Sequence, residues 1–367
     1  MNLLFASCIS TWGGGENWML SAMLGLRERG HKVVLAGRSG SELVNRAEAE
    51  NVPCVEIDYR GDFDPIAFWR FFRLCRAQRI DVLCLNMQRV LRVAGPAARL
   101  AGVGGVIPRV GSQSPLGGNP YHIWTWKHVA DGIIANSQAT GRTLLKSATW
   151  LPPDRVRVIY NGLHLDRFVA ATGQREAARA RLGTSLDVPV IGMIGELTTR
   201  KNHILVLRQL PYLVAKFPGL KLWILGAGDQ KEVLSTEAAR LGVSENLVLA
   251  GFRSDVPDLI PGMDVLAHPA LMEGFGYVIV EAMAAGLPVV AADTSNLPEI
   301  IDDGATGWLV SPADGPIWAR RLEELLTDTE SAGKMGQEGS RQARQRFGFE
   351  RMLDELEAYF EEFVKPN

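Results

Sequence analysis

The sequence has no long apolar run. Nowhere does it approach the roughly 18 apolar residues of a membrane-spanning helix, and the apolar stretch in residues 1–9 is too short, and lacks the basic lead, for a signal-peptide core. The expectation is a soluble chain located in the cytoplasm, with peripheral contact at the inner face of the membrane left open. Charge of one sign is equally scarce. The chain carries 39 Lys and Arg against 41 Asp and Glu, so no global field draws it to nucleic acid or an anionic surface, and an anionic ligand must be bound by local groups. Cysteine is rare: Cys8, Cys54, Cys75 and Cys84 all lie in the first quarter with no C-x-x-C pair, which argues against a zinc ribbon or dithiol motif and fits a reducing compartment. The six histidines, among them His122 and His128, show no metal-ligand spacing. Each is read as an ordinary structural histidine, and no metal site is expected.

What the sequence does have is alternation. At roughly one domain per 150 residues, its 367 residues suggest two domains. Short runs rich in Val, Ile and Leu alternate with longer segments of helical period, as in parallel sheets with crossover helices. In a first series, residues 2–6, 32–36, 54–57, 81–85, 106–110, 132–135 and 156–160 read as strands, with helices at 16–29, 65–78 and 137–147. In a second, 190–194, 221–225, 247–249, 265–267, 288–291 and 307–310 read as strands, with helices at 202–217, 230–240 and 277–285. The chain reads as helical after Pro312. A small, polar stretch at 170–173, after the Asn161-Gly162 turn, places the boundary near 168. The expected fold is α/β, two doubly wound Rossmann-like domains facing across a cleft: 1–168, 169–345, and a final helix in 346–367 packing back on the first domain. Ligands of such sheets bind in loops that follow strands.

One such loop concentrates candidate chemistry. After the strand ending at Ala267 come His268-Pro269-Ala270-Leu271-Met272-Glu273-Gly274-Phe275-Gly276, and then a helix. Gly274 and Gly276 let backbone approach a ligand, and first-turn amides with the positive end of the helix dipole suit a phosphate. Glu273 and Glu281 flank that position, and carboxylates accept from sugar and ribose hydroxyls. A nucleotide sugar offers both kinds of group, although two glutamates on a solvated helix beside a Gly turn would read the same way.

The segment resembles the E-G-F-G…E donor motif of the family 4 retaining glycosyltransferases. The resemblance continues through Gly286-Leu287-Pro288-Val289-Val290, Leu297-Pro298-Glu299-Ile300-Ile301 and Gly307-Trp308-Leu309-Val310. It also takes in Val158-Ile159-Tyr160-Asn161-Gly162, Gly226-Ala227-Gly228-Asp229 and Gly251-Phe252. It covers most of residues 155–345 and, more loosely, the first half. It implies the GT-B architecture. It further implies that Glu273 touches sugar hydroxyls, that Gly274, Phe275 and Gly276 offer amides to sugar and phosphate, that Val278 lines the nucleoside, and that Glu281 accepts from the ribose. On the family pattern, Gly14 and Gly15, which open the first helix, would meet the donor phosphates.

Lys201 follows a strand, and a cation there can neutralise charge on a leaving diphosphate. The family pairs such a Lys with an Arg where this chain has Glu196, and Arg200 is the candidate second cation. The family's acceptor-side His is also missing; the fifth strand runs into Arg109 and Ser112, which either hold the acceptor or, for Arg109, make a structural ion pair. Tyr121, Trp124 and Trp126 are candidates for stacking on a sugar or lipid-linked acceptor. Asp62-Phe63-Asp64 spells a D-x-D metal signature, but Asp64 before Pro65 reads as a helix N-cap. The aromatic and basic helix at 68–76 reads as a crossover helix rather than a membrane-surface one.

The expected function is retaining transfer of a sugar from a UDP- or GDP-sugar to the hydroxyl of a glycan or lipid-linked acceptor, in polysaccharide, lipopolysaccharide or glycoconjugate synthesis. No cofactor or metal is needed, and no nucleic-acid partner is expected. The alternatives are a GT-B protein of another activity, such as an epimerase or phosphorylase, and a nucleotide-binding module that has lost catalysis.

Overall fold

The Val-, Ile- and Leu-rich runs become thirteen strands, all paired in parallel, in a computed structural model that describes residues 1–86, 88–169 and 174–364. They fall into two compact units. One comprises Met1–Gly162 with Phe349–Asn367, and the other Leu163–Gly348. The polar stretch 170–173, where the sequence suggests a junction, lies outside the described residues.

In the first unit the strands are β1 (Asn2–Ser7), β2 (Lys32–Gly37), β3 (Cys54–Glu56), β4 (Val82–Asn86), β5 (Gly105–Val110), β6 (Ile133–Ala135) and β7 (Val156–Val158). Their order is β3-β2-β1-β4-β5-β6-β7. In the second they are β8 (Val190–Ile194), β9 (Lys221–Leu225), β10 (Leu247–Gly251), β11 (Val265–His268), β12 (Val289–Ala292) and β13 (Trp308–Val310), in the order β10-β9-β8-β11-β12-β13. Both sheets are doubly wound, and the order reverses between β1 and β4 and between β8 and β11. Central strands such as β4 and β8 are buried along their whole length. Burial on both faces explains why they read as continuous apolar runs rather than alternating ones.

The helices depart from the expected pattern at identifiable residues. The segment expected as one helix over 202–217 is three pieces, a 3₁₀ turn at Thr199–Lys201 and helices His203–Leu207 and Leu210–Lys216. Asn202 takes the left-handed conformation, with φ 55°, and Pro211 brings no N–H to a continuous ladder. Gln88–Ala101 is a helix despite Pro96 in its interior. Pro120–His128 is another, started by Asn119 and Pro120. Trp126 on that helix is fully buried, so it is not available to stack on an acceptor, whereas Trp124 is half-exposed. The Asp62-Phe63-Asp64 sequence resolves into two structural roles. Asp64 accepts from the Ile66 and Ala67 amides, each at 3.0 Å, as the cap of helix Pro65–Ala77, and Asp62 pairs with Arg92 at 2.7 Å.

The closing helix, Phe349–Glu361, completes the core of the first unit. Its Phe349, Met352, Leu353, Leu356 and Phe360 join Phe5, Trp18, Met19 and Met23 in one apolar cluster. Helix Gly14–Glu28 approaches it at Gly25, where an added Cβ would lie 2.4 Å from Leu353. Arg29 fastens the rim through Glu350, Asp354 and Glu357 at 2.6–2.9 Å. Phe360 is fully buried and meets Phe5 edge-on, ring centroids 6.5 Å apart. Removing a buried Phe side chain costs about 3–5 kcal/mol, so Phe360→Ala lowers the urea midpoint of the first unit by a corresponding amount. An unchanged midpoint would show that the returning helix contributes nothing to this core.

Candidate functional site

The second sheet reverses direction between β8 and β11, and the expected donor residues follow those two strands. Ligands of open α/β sheets bind beyond the carboxyl ends of the strands at such a reversal. After β8 the chain turns through Gly195 and reaches Lys201 at the end of the 3₁₀ turn. After β11 it passes His268 and Glu273 before helix Tyr277–Ala284. The turns are tightly nested: a Cβ on Gly226 would lie 1.8 Å from the Gly195 carbonyl, and one on Gly228 2.3 Å from that of Leu197. With φ near +150° to +160° at Gly195, Gly226 and Gly228, only glycine serves at these positions.

Glu273 is the hub. Its Oε2 accepts from Lys201 Nζ at 2.5 Å and lies 3.0 Å from His268 Nε2, while Oε1 accepts from the Gly274 amide at 3.0 Å. A carboxylate can only accept, so Nε2 of His268 carries the proton. Burial opposes the Glu273 charge. The hydrogen bond from His268 and the nearby charge of Lys201 outweigh it and hold the carboxyl well below the usual carboxylate range. Burial pushes the His268 pKa down while its bond to Glu273 works the other way. Buried His203, next along the chain from Asn202, is pushed down to about 4 by burial, with His268 and Lys201 adding to the effect.

The loop carrying Glu273 is strapped to the segment after β12. Thr294 Oγ1 donates to the Leu271 carbonyl at 3.4 Å, Ser295 Oγ accepts from the Glu273 amide at 3.3 Å, and Asn296 Nδ2 donates to the Phe275 carbonyl at 2.5 Å. Ser295 adopts φ 57° to make its contact. Phe275 is buried, its ring packed into the core against Phe347, 5.8 Å between centroids. Gly276 caps the helix with φ 98° and supplies no side-chain oxygen to the first turn. The helix dipole at this end favours an anion. Val278 sits half-buried in that first turn. Glu281, one turn in, is largely buried, and burial raises its pKa; its nearest cation, Arg167, is 3.9 Å away. Such a carboxylate is short of donors, which ribose hydroxyls would supply.

Arg200 does not enter the Lys201–Glu273 pair. It is exposed, its Nη1 3.4 Å from the Met272 carbonyl and its own carbonyl accepting from the Leu271 amide at 2.8 Å. Glu196 is likewise exposed. Gly14, Gly15, Arg109 and Ser112 belong to the first unit. There, Gly15 lies against Asn86, whose Nδ2 donates to buried Glu16 at 3.0 Å. Arg109 is buried, donates to Asn161 Oδ1 at 2.9 Å and lies 4.2 Å above the Trp18 ring. Ser112 is exposed, its hydroxyl 3.1 Å from that of Ser114.

Sequence reading set aside His268 and His203 and did not single out Asn86, Asn296 or Ser295. The H-x4-E spacing from the last residue of a strand was the one available signal for His268.

Both buried histidines are held neutral by the fold. An unfolded chain protonates them near the usual 6.5. Below that value the unfolded state therefore binds more protons, and stability falls as the pH drops towards the folded values. His203→Gln removes up to one proton from this linkage, about 1.4 kcal/mol per pH unit. Urea titrations from about pH 6.5 down to 4.5 that return the parent's slope for the variant would contradict the assignment.

The chain matches two family profiles, "Glycosyltransferase Family 4" over residues 12–167 and "Glycosyl transferases group 1" over residues 174–342. It is 34% identical over 241 residues to the D-inositol 3-phosphate glycosyltransferases of Mycobacterium tuberculosis and Mycobacterium bovis, an alignment covering 63% of this chain and 48% of theirs. It thus spans about half the length of these curated relatives. Among solved structures, a glycosyltransferase from Rickettsia africae superposes with a TM-score of 0.90 at 18% identity, covering 100% of this chain and 99% of that one. Anabaena HepE, crystallised with UDP, superposes with a TM-score of 0.88 at 21% identity, covering 99% and 100%. Two doubly wound sheets of this order, each under its own family profile, make the chain a member of the family 4 glycosyltransferases, with the GT-B fold.

Proposed function

We propose that this protein is a retaining glycosyltransferase that moves a sugar from a UDP- or GDP-sugar to an acceptor hydroxyl, in polysaccharide, lipopolysaccharide or glycoconjugate synthesis. The observation that carries the reading is the largely buried Lys201–Glu273–His268 cluster beside the glycine-capped helix Tyr277–Ala284. It sets a cation and helix amides, suited to a diphosphate, next to carboxylates suited to hydroxyls. UDP bound to the structurally similar Anabaena protein and the transferase activity in the mycobacterial relatives' name point the same way.

In the proposed reaction the bond between the anomeric carbon and the diphosphate oxygen breaks, and the acceptor oxygen bonds to the same face of the sugar. The acceptor proton passes to an oxygen of the departing phosphate. Lys201 and the first-turn amides stabilise the charge that develops there, an effect of the oxyanion-hole type. Glu273 keeps Lys201 in place and, through the remaining lone pair of Oε1, accepts from a sugar hydroxyl. Glu281 accepts from the ribose, Val278 lines the nucleoside, and Gly274 to Gly276 bring backbone to sugar and phosphate. Arg200, on the same loop edge, supplies long-range positive charge. Gly14 and Gly15 of the first unit serve the donor phosphates, with Arg109 and Ser112 on the acceptor side. Positive charge at the leaving group comes from the protein, so the reaction proceeds without a metal or other cofactor. The protein acts in the cytoplasm.

Incubation with UDP- and GDP-sugars without acceptor is expected to give slow donor hydrolysis. Lys201→Ala lowers turnover about 10²-fold with little change in nucleotide affinity, as when one oxyanion-type donor is removed. Glu281→Ala weakens nucleotide binding about tenfold, the worth of a hydrogen bond to a charged group. Tight nucleotide binding with no turnover would indicate a binding module instead, and parent-like kinetics in both variants would remove these residues from the mechanism.

A further inference from the structure

A cavity of about 900 Å³ opens in the first unit at the carboxyl ends of its strands. Cys8 follows β1, Arg38 follows β2, and Ile57 to Phe63 follow β3, while Arg89 and Arg92 come from the helix after β4. Four arginines line it, Arg38, Arg60, Arg89 and Arg92, against two carboxylates, Asp58 and Asp62. Asp62 is committed to Arg92 at 2.7 Å, and Asp58 accepts from the Ser39 amide at 3.0 Å. Arg38, Arg60 and Arg89 make no ion pair among the described residues, and the Nε of Arg92 is buried with no hydrogen-bond partner there. The cavity therefore holds an excess of positive charge and unused guanidinium donors in a chain that is close to neutral overall. Guanidinium forks match phosphate and carboxylate oxygens.

The rim adds a second kind of surface. Phe63, three-quarters exposed, packs on Tyr121 at 4.5 Å, and Tyr121 stacks on half-exposed Trp124 at 6.0 Å. Phe63 itself lines the cavity and keeps most of its ring exposed, a flat apolar surface that fits the C–H face of a sugar ring whose substituent is anionic, rather than a bare inorganic ion.

We infer that this cavity is the acceptor subsite, and that the acceptor is a sugar or polyol bearing an oxyanion, phosphate or carboxylate, gripped by Arg38, Arg60, Arg89 and Arg92. The inference rests on the transferase reading above and adds the acceptor's chemical class to it.

The test uses the full chain saturated with UDP or GDP, whichever raises its melting temperature, so that the donor position is filled. Binding of inorganic phosphate, glucose 6-phosphate, glucuronate and glucose is then followed by ligand-observed NMR. Glucose 6-phosphate or glucuronate is expected to bind at least tenfold more tightly than glucose, the preferred one identifying the oxyanion, and to bind more tightly than inorganic phosphate. The double variant Arg38→Gln/Arg89→Gln, with both side chains exposed and unpaired, is expected to lose at least tenfold of that affinity while keeping the parent's melting temperature and nucleotide affinity. Equal binding of glucose, no binding of any of the three oxyanions, or parent-like binding by the double variant overturns the inference. Failure of both nucleotides to bind would instead overturn the transferase reading and leave the basic cavity to be judged by the oxyanion titrations alone.

Discussion

One carboxylate organises the second unit. Glu273 is largely buried, its side chain 13% exposed, and a charge so withdrawn from water is tolerated only when it is paired and hydrogen-bonded. Lys201, His268 and the Gly274 amide meet that demand from three directions. Each depends on its own piece of scaffold: Lys201 on the glycine turns that bring the ends of β8 and β9 together, His268 on the last residue of β11, and the amide on the glycine loop. Thr294, Ser295 and Asn296 fix that loop from outside. The chemistry proposed for the site is thus a by-product of satisfying one buried acid, with a lysine left poised beside a helix start that carries no side-chain cap.

This arrangement answers a difficulty in putting carboxylates near a diphosphate. A free glutamate there would repel the donor. Glu273 is locally offset by Lys201, and Glu281 sits one turn into the helix with Arg167 3.9 Å away. In the proposed reading the two acids present acceptors to hydroxyls, while the helix dipole favours phosphate at the helix start once Lys201 has offset Glu273. At the position of the family's arginine this chain carries Glu196, which is exposed.

Much of this was legible in the residues and some was not. Parallel strands announced themselves as short β-branched runs because they are buried on both faces, and their observed limits lie within two residues of the expected ones. Helices that break ordinary rules, such as Gln88–Ala101 around Pro96, did not, since their persistence depends on packing between neighbours that local pattern does not record. Glu273 and Lys201 were legible as types after strands, but their 2.5 Å pairing was not: 72 residues separate them, and only the adjacency of β8 and β11 brings them together. His268 was passed over for the same reason, because a lone histidine carries no sign of its partner. Asn296 and Ser295 act through backbone groups, which leave no trace in a motif.

The most direct test of the central claim is diffraction from crystals of the full chain grown with UDP and with GDP. The account predicts a diphosphate against Lys201 and the first turn of helix Tyr277–Ala284, with the ribose on Glu281. A nucleotide bound away from that helix, or one that leaves Lys201 and Glu281 untouched, would contradict it.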